Sequence, residues 1–183
     1  SFILTAVASD SLGNESSASI TVTVLVDPPV QQAEDYSAMY GIQTEACTDV
    51  GGGQNIGYIE NSDWAEYSIN LPSAGCYTVD FRAATDKAGG TIQMKVGDSE
   101  IGSALVSNTG DWQAWVTVST TATFDTAGPQ TLRLNFIGGS GYLYNLNWFE
   151  MTKVGAPSGY HAWASTNGIT GERAADDDGD VVR

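Results

Sequence analysis

The chain has 183 residues, of which 42% are hydrophobic, enough for one domain with a proper core and room for flanking fragments. Its 22 acidic residues against 7 basic ones give a net charge of −15, which argues against a nucleic-acid partner or an anionic membrane and suits a neutral or cationic ligand. No long apolar run is present, two cysteines with a single histidine exclude a Cys/His zinc site, and a charged fraction of only 16% amid abundant Gly, Ser and Thr is the composition of an extracellular β protein.

Taken in order, residues 2–9 (FILTAVAS) and 18–26 (ASITVTVLV) read as a hairpin around the turn-forming Asp10-Ser11-Leu12-Gly13-Asn14. The pattern LTAVASDSLGNESSASITVTV resembles the last two strands of an immunoglobulin-like or cadherin-like bacterial repeat. Residues 1–27 are therefore expected to be the end of a truncated domain, and residues 28–31 a short, proline-stiffened linker. Residues 30–34 (VQQAE) form a short strand, and further strands are predicted near 56–59, 64–70, 76–84, 91–97, 101–106, 113–118, 121–125, 130–136 and 142–151. Turn signals divide them, among them Pro72-Ser73-Ala74-Gly75, Asn108-Thr109-Gly110 and Gly138-Gly139-Ser140-Gly141. Such regular punctuation, with no helical stretch between 30 and 151, predicts an all-β fold, a β-sandwich of two antiparallel sheets.

After Lys153 the composition changes to a Gly/Pro/Ser linker that ends in clustered aspartates, so 153–183 is read as a linker and the start of a further acidic module. Asp176, Asp178 and Asp180 have the alternate spacing of a calcium loop but lack its downstream glutamate. The chain opens mid-pattern at Ser1 and is expected to be a piece of a longer secreted protein.

The stretch 51–70, GGGQNIGYIENSDWAEYSIN, concentrates the chemistry. A glycine triplet leads to Tyr58 between β-branched residues, then a polar turn at Asn61-Ser62-Asp63, then a period-two strand with Trp64, Glu66 and Ser68 on one face and Ala65, Tyr67 and Ile69 on the other. An indole beside a carboxylate suits a sugar, because the ring covers the apolar C–H face while the oxygens bond hydroxyls.

GGGQNIGYIENSDWAEYSINLPSAGCYTVDFRAA, followed by NTGDWQAWVTV and closing with YNLNWFEM, resembles the family 6 carbohydrate-binding modules, with the likeness running over about residues 32–151 and the domain expected over 32–152. The resemblance implies a jelly-roll sandwich appended to a secreted polysaccharide-degrading enzyme. It implies that Tyr58 and Trp112 flank one sugar ring in a loop cleft, that Asn145 bonds its hydroxyls, and that Glu45 and Thr48 complete the site. A second cleft on the concave sheet face would use Trp64 and Glu66, although a structural role for Trp64 is equally open. Glu34 and Glu150 would hold a structural calcium, with Gln32 where a further carboxylate often stands, an amide that can still ligate through its carbonyl oxygen. Trp115, inside its strand, and Trp148, in the last one, are expected in the core.

Cys47 and Cys76 are read as a disulfide or as two unpaired thiols. No catalytic residue is assigned: His161 lies in the linker, and Glu60, Asp63 and Glu66 are close in sequence without any sign that they face one another. The expected function is a non-catalytic, extracellular, monomeric module that binds a polysaccharide or oligosaccharide and is tethered to a catalytic domain. Agarose or another algal galactan of a marine bacterium's diet comes first, β-glucan or xylan next. A small glycoside hydrolase or lyase domain, or a structural or adhesion spacer, are the alternatives.

Overall fold

A computed structural model describes residues 2–9, 12–13, 15–22 and 28–154. The reading of 153–183, with Asp176, Asp178, Asp180 and His161, and that of the 23–27 segment lie outside these residues apart from Lys153 and Val154. Phe2–Ser9 (β1) pairs antiparallel with Glu15–Val22 (β2), a hairpin in its expected place with the second strand starting earlier.

The remaining strands build the sandwich: Gln31–Gln32 (β3), Ala38–Tyr40 (β4), Gln43–Ala46 (β5), Gln54–Gly57 (β6), Trp64–Leu71 (β7), Gly75–Thr85 (β8), Gly90–Val96 (β9), Ser99–Val106 (β10), Asp111–Phe124 (β11), Gly128–Gly138 (β12) and Asn145–Lys153 (β13). One sheet has the order β10-β9-β12-β7-β4 and the other β11-β8-β13-β6-β5, with β3 on β13; every pairing is antiparallel. No helix occurs among the described residues.

Period-two alternation decides what faces inward. On β7, Ala65, Tyr67 and Ile69 are buried while Trp64, Glu66 and Ser68 face out, as predicted, and Asn70 and Leu71 continue the alternation. Tyr77, Val79 and Phe81 of β8, Leu132, Leu134 and Phe136 of β12, and Phe149 and Met151 of β13 complete the layer between the sheets. Tyr67 and Phe149 meet edge to face at 4.9 Å, as do Tyr77 and Phe124 at 5.5 Å, contacts worth about 0.5–1.5 kcal/mol each beyond area burial. The buried Tyr67 hydroxyl donates to the Ala33 carbonyl at 2.8 Å, which ties the start of the domain to its core.

Three readings need correction, and the one left open at Cys47 and Cys76 is decided. Residues 113–118 and 121–125 belong to one long strand, β11, because the polar Ser119, Thr120 and Thr121 continue its pairing with β8 instead of turning. The short edge strands β4 and β5 went unrecognised. Neither Trp115 nor Trp148 is in the core; both are half-buried, and the interior is filled by Tyr67, Tyr77, Tyr144 and phenylalanines. Cys47 and Cys76 are free thiols. Cys76 is the second residue of β8, whereas the loop that carries Cys47 is bound to Arg82 six positions further along that strand, about 20 Å away, and a disulfide needs Cα atoms within about 7 Å.

Candidate functional site

The strand order brings the 58–63, 107–110 and 139–144 loops to the same end of the sandwich. The first and third are laced together by the Leu143 amide donating to the Ile59 carbonyl at 2.8 Å. The first is closed on itself by the Glu60 amide donating to Asp63 Oδ2 at 2.8 Å, so Asp63 is a turn-holding carboxylate. Tyr58 follows β6 in a left-handed conformation (φ 57°), a backbone state costing a non-glycine residue on the order of 1–2 kcal/mol. The result is a ring turned out of the sheet, 39% exposed, and braced edge-on by Tyr142 at 5.5 Å.

Trp112 stands where the register between β11 and β8 breaks, between Asp111 and Val116. That irregularity releases residues 112–115 from strict alternation and re-aims their side chains. Tyr58, Trp112 and Tyr142, with Glu45, Gln113 and Asn145, line one open cleft of about 260 Å³. The structure thus brings together Glu45, Tyr58, Trp112 and Asn145, four of the five residues expected there. Thr48 does not line the cleft; its amide and hydroxyl donate to Gln113 Oε1 at 2.9 and 3.0 Å, and Trp115 Nε1 donates to the same oxygen at 3.1 Å.

The cleft floor is a network of amides around one carboxylate. Asn145 Nδ2 donates to Glu45 Oε1 at 2.6 Å and to the Trp112 carbonyl at 2.9 Å, and Asn55 Nδ2 donates to Glu45 Oε1 and the Ile56 carbonyl at 3.2 Å each. Gly57 is required beneath it, since a Cβ there would stand 2.7 Å from Asn145 Oδ1 and 3.2 Å from Glu45 Oε1. Gln113, Tyr142 and Asn55 were not singled out in the sequence. Tyr142 carried a usable signal: like Trp112, it is an aromatic placed directly after a glycine-bearing turn.

On the outer face of the first sheet, Trp64 and Glu66 lie as predicted, but both are engaged. The Arg133 guanidinium covers the Trp64 ring at 3.8 Å, donates to Glu66 Oε1 at 2.9 Å and to Asn135 Oδ1 at 3.0 Å. Asn135 in turn donates to Gln93 at 3.0 Å, and Gln93 to Glu100 at 2.8 Å.

A third depression is lined by Gln32, Glu34, Gly51, Gly52, Gly53, Asn147 and Trp148 among others. Glu34 Oε2 and Asn147 Oδ1, both cut off from solvent, have no hydrogen-bond partner there. Glu150 does not line it; β13 sets that residue opposite Asp80. Among the described residues no three His, Cys, Asp or Glu side chains converge as a metal-binding group. Beside this depression Arg82 grips Asp49 with two hydrogen bonds of 2.8 and 2.9 Å, and Asn147 Nδ2 donates to Asp49 at 3.0 Å. The Arg82 guanidinium holds the Asp49 carboxyl down to about 2, against an ordinary 3.8. Lysine keeps the charge of this contact but not the fork, so Arg82→Lys is expected to lower stability by about 1 kcal/mol, read as an earlier urea midpoint. An unchanged midpoint would mean that the fork contributes nothing.

Aromatic walls around a fixed carboxylate and amide, set in the loops at one end of a jelly-roll sandwich, define a saccharide-binding module. The chain belongs to the family 6 carbohydrate-binding modules, whose family model, "Carbohydrate binding module (family 6)", matches residues 32–153. It is 35% identical over 126 residues to the clotting factor G alpha subunit of Tachypleus tridentatus, covering 67% of this chain and 18% of that protein. It is 32% identical over 105 residues to a β-agarase of Microbulbifer thermotolerans, covering 56% of this chain and 24% of the agarase. Among solved structures, a β-1,3-glucan-binding family 6 module from Bacillus halodurans superposes with a TM-score of 0.64 at 37% identity, over 68% of this chain and 96% of that one. The chain therefore spans about a fifth to a quarter of the length of these curated relatives. As a member of this family it is a carbohydrate-binding module without catalytic function.

Proposed function

We propose that the cleft of Tyr58, Trp112, Tyr142, Glu45 and Asn145 binds a β-linked polysaccharide and holds a secreted polysaccharide-degrading enzyme on it, raising the local substrate concentration. The observation that carries this reading is the convergence of three aromatic rings on a buried amide and an oriented carboxylate in one open, solvent-facing cleft. Agarose or another algal galactan is the first choice of ligand, supported by the agarase relative, and a β-glucan the second, supported by the glucan-binding neighbour. Xylan completes the panel. The short matched share of the relatives' lengths supports a module tethered to a larger, exported protein. Affinity electrophoresis in gels containing agarose, laminarin or xylan tests the proposal; no retardation in any of them would refute it.

The loop cleft is preferred to the concave sheet face because Arg133 already occupies the surface of Trp64 that a sugar would need. Trp64→Ala is therefore expected to leave saccharide affinity within about twofold of the parent, since a residue outside the contact contributes little. Loss of binding in that variant, with the fold intact by calorimetry, would move the site to the sheet. The depression at Glu34 is proposed to hold a structural calcium, with Glu34 and Asn147 supplying oxygens and Gln32 a further carbonyl.

A further inference from the structure

At the end of the sandwich away from the cleft, two strand edges lose their cover. Among the described residues β4 pairs with β7 only at Trp64, Ala65 and Glu66, and β3 pairs with β13 only at Trp148 and Phe149. Pro28 and Pro29, just before β3, have no N–H to give and cannot extend that pairing down β13. The seam between the sheets is left open there as a cavity of about 480 Å³, lined by Pro28, Pro29, Ile69, Asn70, Pro72 and Met151 among others. Ile69 and Met151 belong to the core cluster, so the core itself forms the back wall. In a chain of net charge −15, no charged side chain lines this seam among the described residues. An uncharged opening onto the core is the kind of apolar surface that marks an interaction site.

The β1–β2 hairpin supplies the counterpart. Its register sets Phe2 opposite Val22, Leu4 opposite Ile20 and Ala6 opposite Ala18, and period-two alternation puts these six residues on one face. Glu15, the one charged residue of the two strands, stands opposite Ser9 at the far end and on the other face. A two-stranded hairpin alone is marginal in water and gains stability by packing its apolar face on something else. Residues 23–27 join Val22 to Pro28, a span of at most roughly 20 Å, and Pro28 is itself buried at the seam. So short a tether holds hairpin and opening at an effective concentration on the order of millimolar. We infer that the seam is a docking surface whose occupant is this hairpin: the Phe2/Val22 end of its apolar face packs over Pro28, Ile69, Pro72 and Met151, and hairpin and sandwich form one unit. The joint lies opposite the end that carries the 58–63, 107–110 and 139–144 loops, so the cleft points away from it, and the inference is independent of what the cleft binds.

Amide hydrogen exchange of β1 and β2, measured in the whole chain over a range of protein concentrations, is the test. Docked hairpin amides should exchange at least about tenfold more slowly in the parent than in Ile20→Asp, which sets a charge on the apolar face. Ile20→Asp also weakens the hairpin itself, so Ser68→Glu carries the decision. Ser68 is exposed on the rim of the seam, in the sandwich and not in the hairpin, and a carboxylate there should speed exchange in β1 and β2 by a similar factor while β8 keeps its parent protection. Thr121→Glu, the same charge change at an exposed position of β11 in the other sheet, should leave hairpin exchange at the parent rate. Parent exchange as fast as in Ile20→Asp, or protection that Ser68→Glu leaves untouched, overturns the inference. Protection that grows with protein concentration overturns it as well, because the occupant is then a second copy of the chain.

Discussion

Replacing Trp112 by alanine is expected to abolish detectable polysaccharide binding, and replacing Tyr58 by alanine to do nearly the same. Each ring supplies apolar area and C–H to π contact that a methyl group cannot restore, on the order of 1–3 kcal/mol, or roughly five- to 150-fold in affinity. For a shallow cleft of about 260 Å³ open to water, a loss of that size exhausts what the site can offer. Tyr58→Ala has a second effect. It relieves the left-handed strain at φ 57° only in part and removes the ring that braces Tyr142, so two of the three walls are disturbed. Titration calorimetry with the best polymer of the panel measures the change, and melting curves confirm that neither variant is unfolded, both side chains lying outside the core cluster. Parent-like affinity in both variants would remove the cleft from consideration as the site.

The features legible in the sequence are those that local periodicity or turn chemistry dictates. The alternation from Trp64 to Leu71 specified which residues of β7 are buried, and the Gly/Pro/Asn punctuation located most strands to within one or two residues. Tyr58, Trp112, Asn145 and Glu45 were reached through the family resemblance, and they meet because four separate strands end at one loop-bearing edge. Trp115 was placed in the core because it lies inside its strand, but the register break after Asp111 frees it to hydrogen-bond Gln113. Trp148 faces out by plain alternation with the buried Phe149 and Met151, while the break between Leu146 and Trp148 puts Asn145, Leu146 and Asn147 all on the buried side. The Arg133 cover on Trp64 depends on β7 and β12 being neighbours, a pairing of residues more than sixty positions apart that no local pattern announces.

Chelation is expected to lower the melting temperature by about 10 °C. The buried Glu34 Oε2 and Asn147 Oδ1 are without partners, and a buried oxygen left unmet costs about 1–3 kcal/mol, so this depression is stable only if something positive or donating fills it. A calcium ion supplies what both oxygens lack and would tie the segment after β3 to β13, the two ends of the sandwich. With one carboxylate and two amides the site is weakly charged for a dication, and an ion present at 100 to 1,000 times its dissociation constant stabilises the fold by about 3–4 kcal/mol. For a domain of this size that corresponds to roughly 10 °C. Asn147→Asp adds a second carboxylate, although it also gives up the hydrogen bond to Asp49, so the decisive readout is the calcium-dependent part of the melting temperature and not its absolute value. That part should grow in Asn147→Asp, vanish in Glu34→Gln, and stay at the parent value in Glu150→Gln, whose side chain stands opposite Asp80 on the sheet and outside the depression. A melting curve indifferent to chelator in the parent would mean that the two orphaned oxygens are met by water and that no metal is bound there.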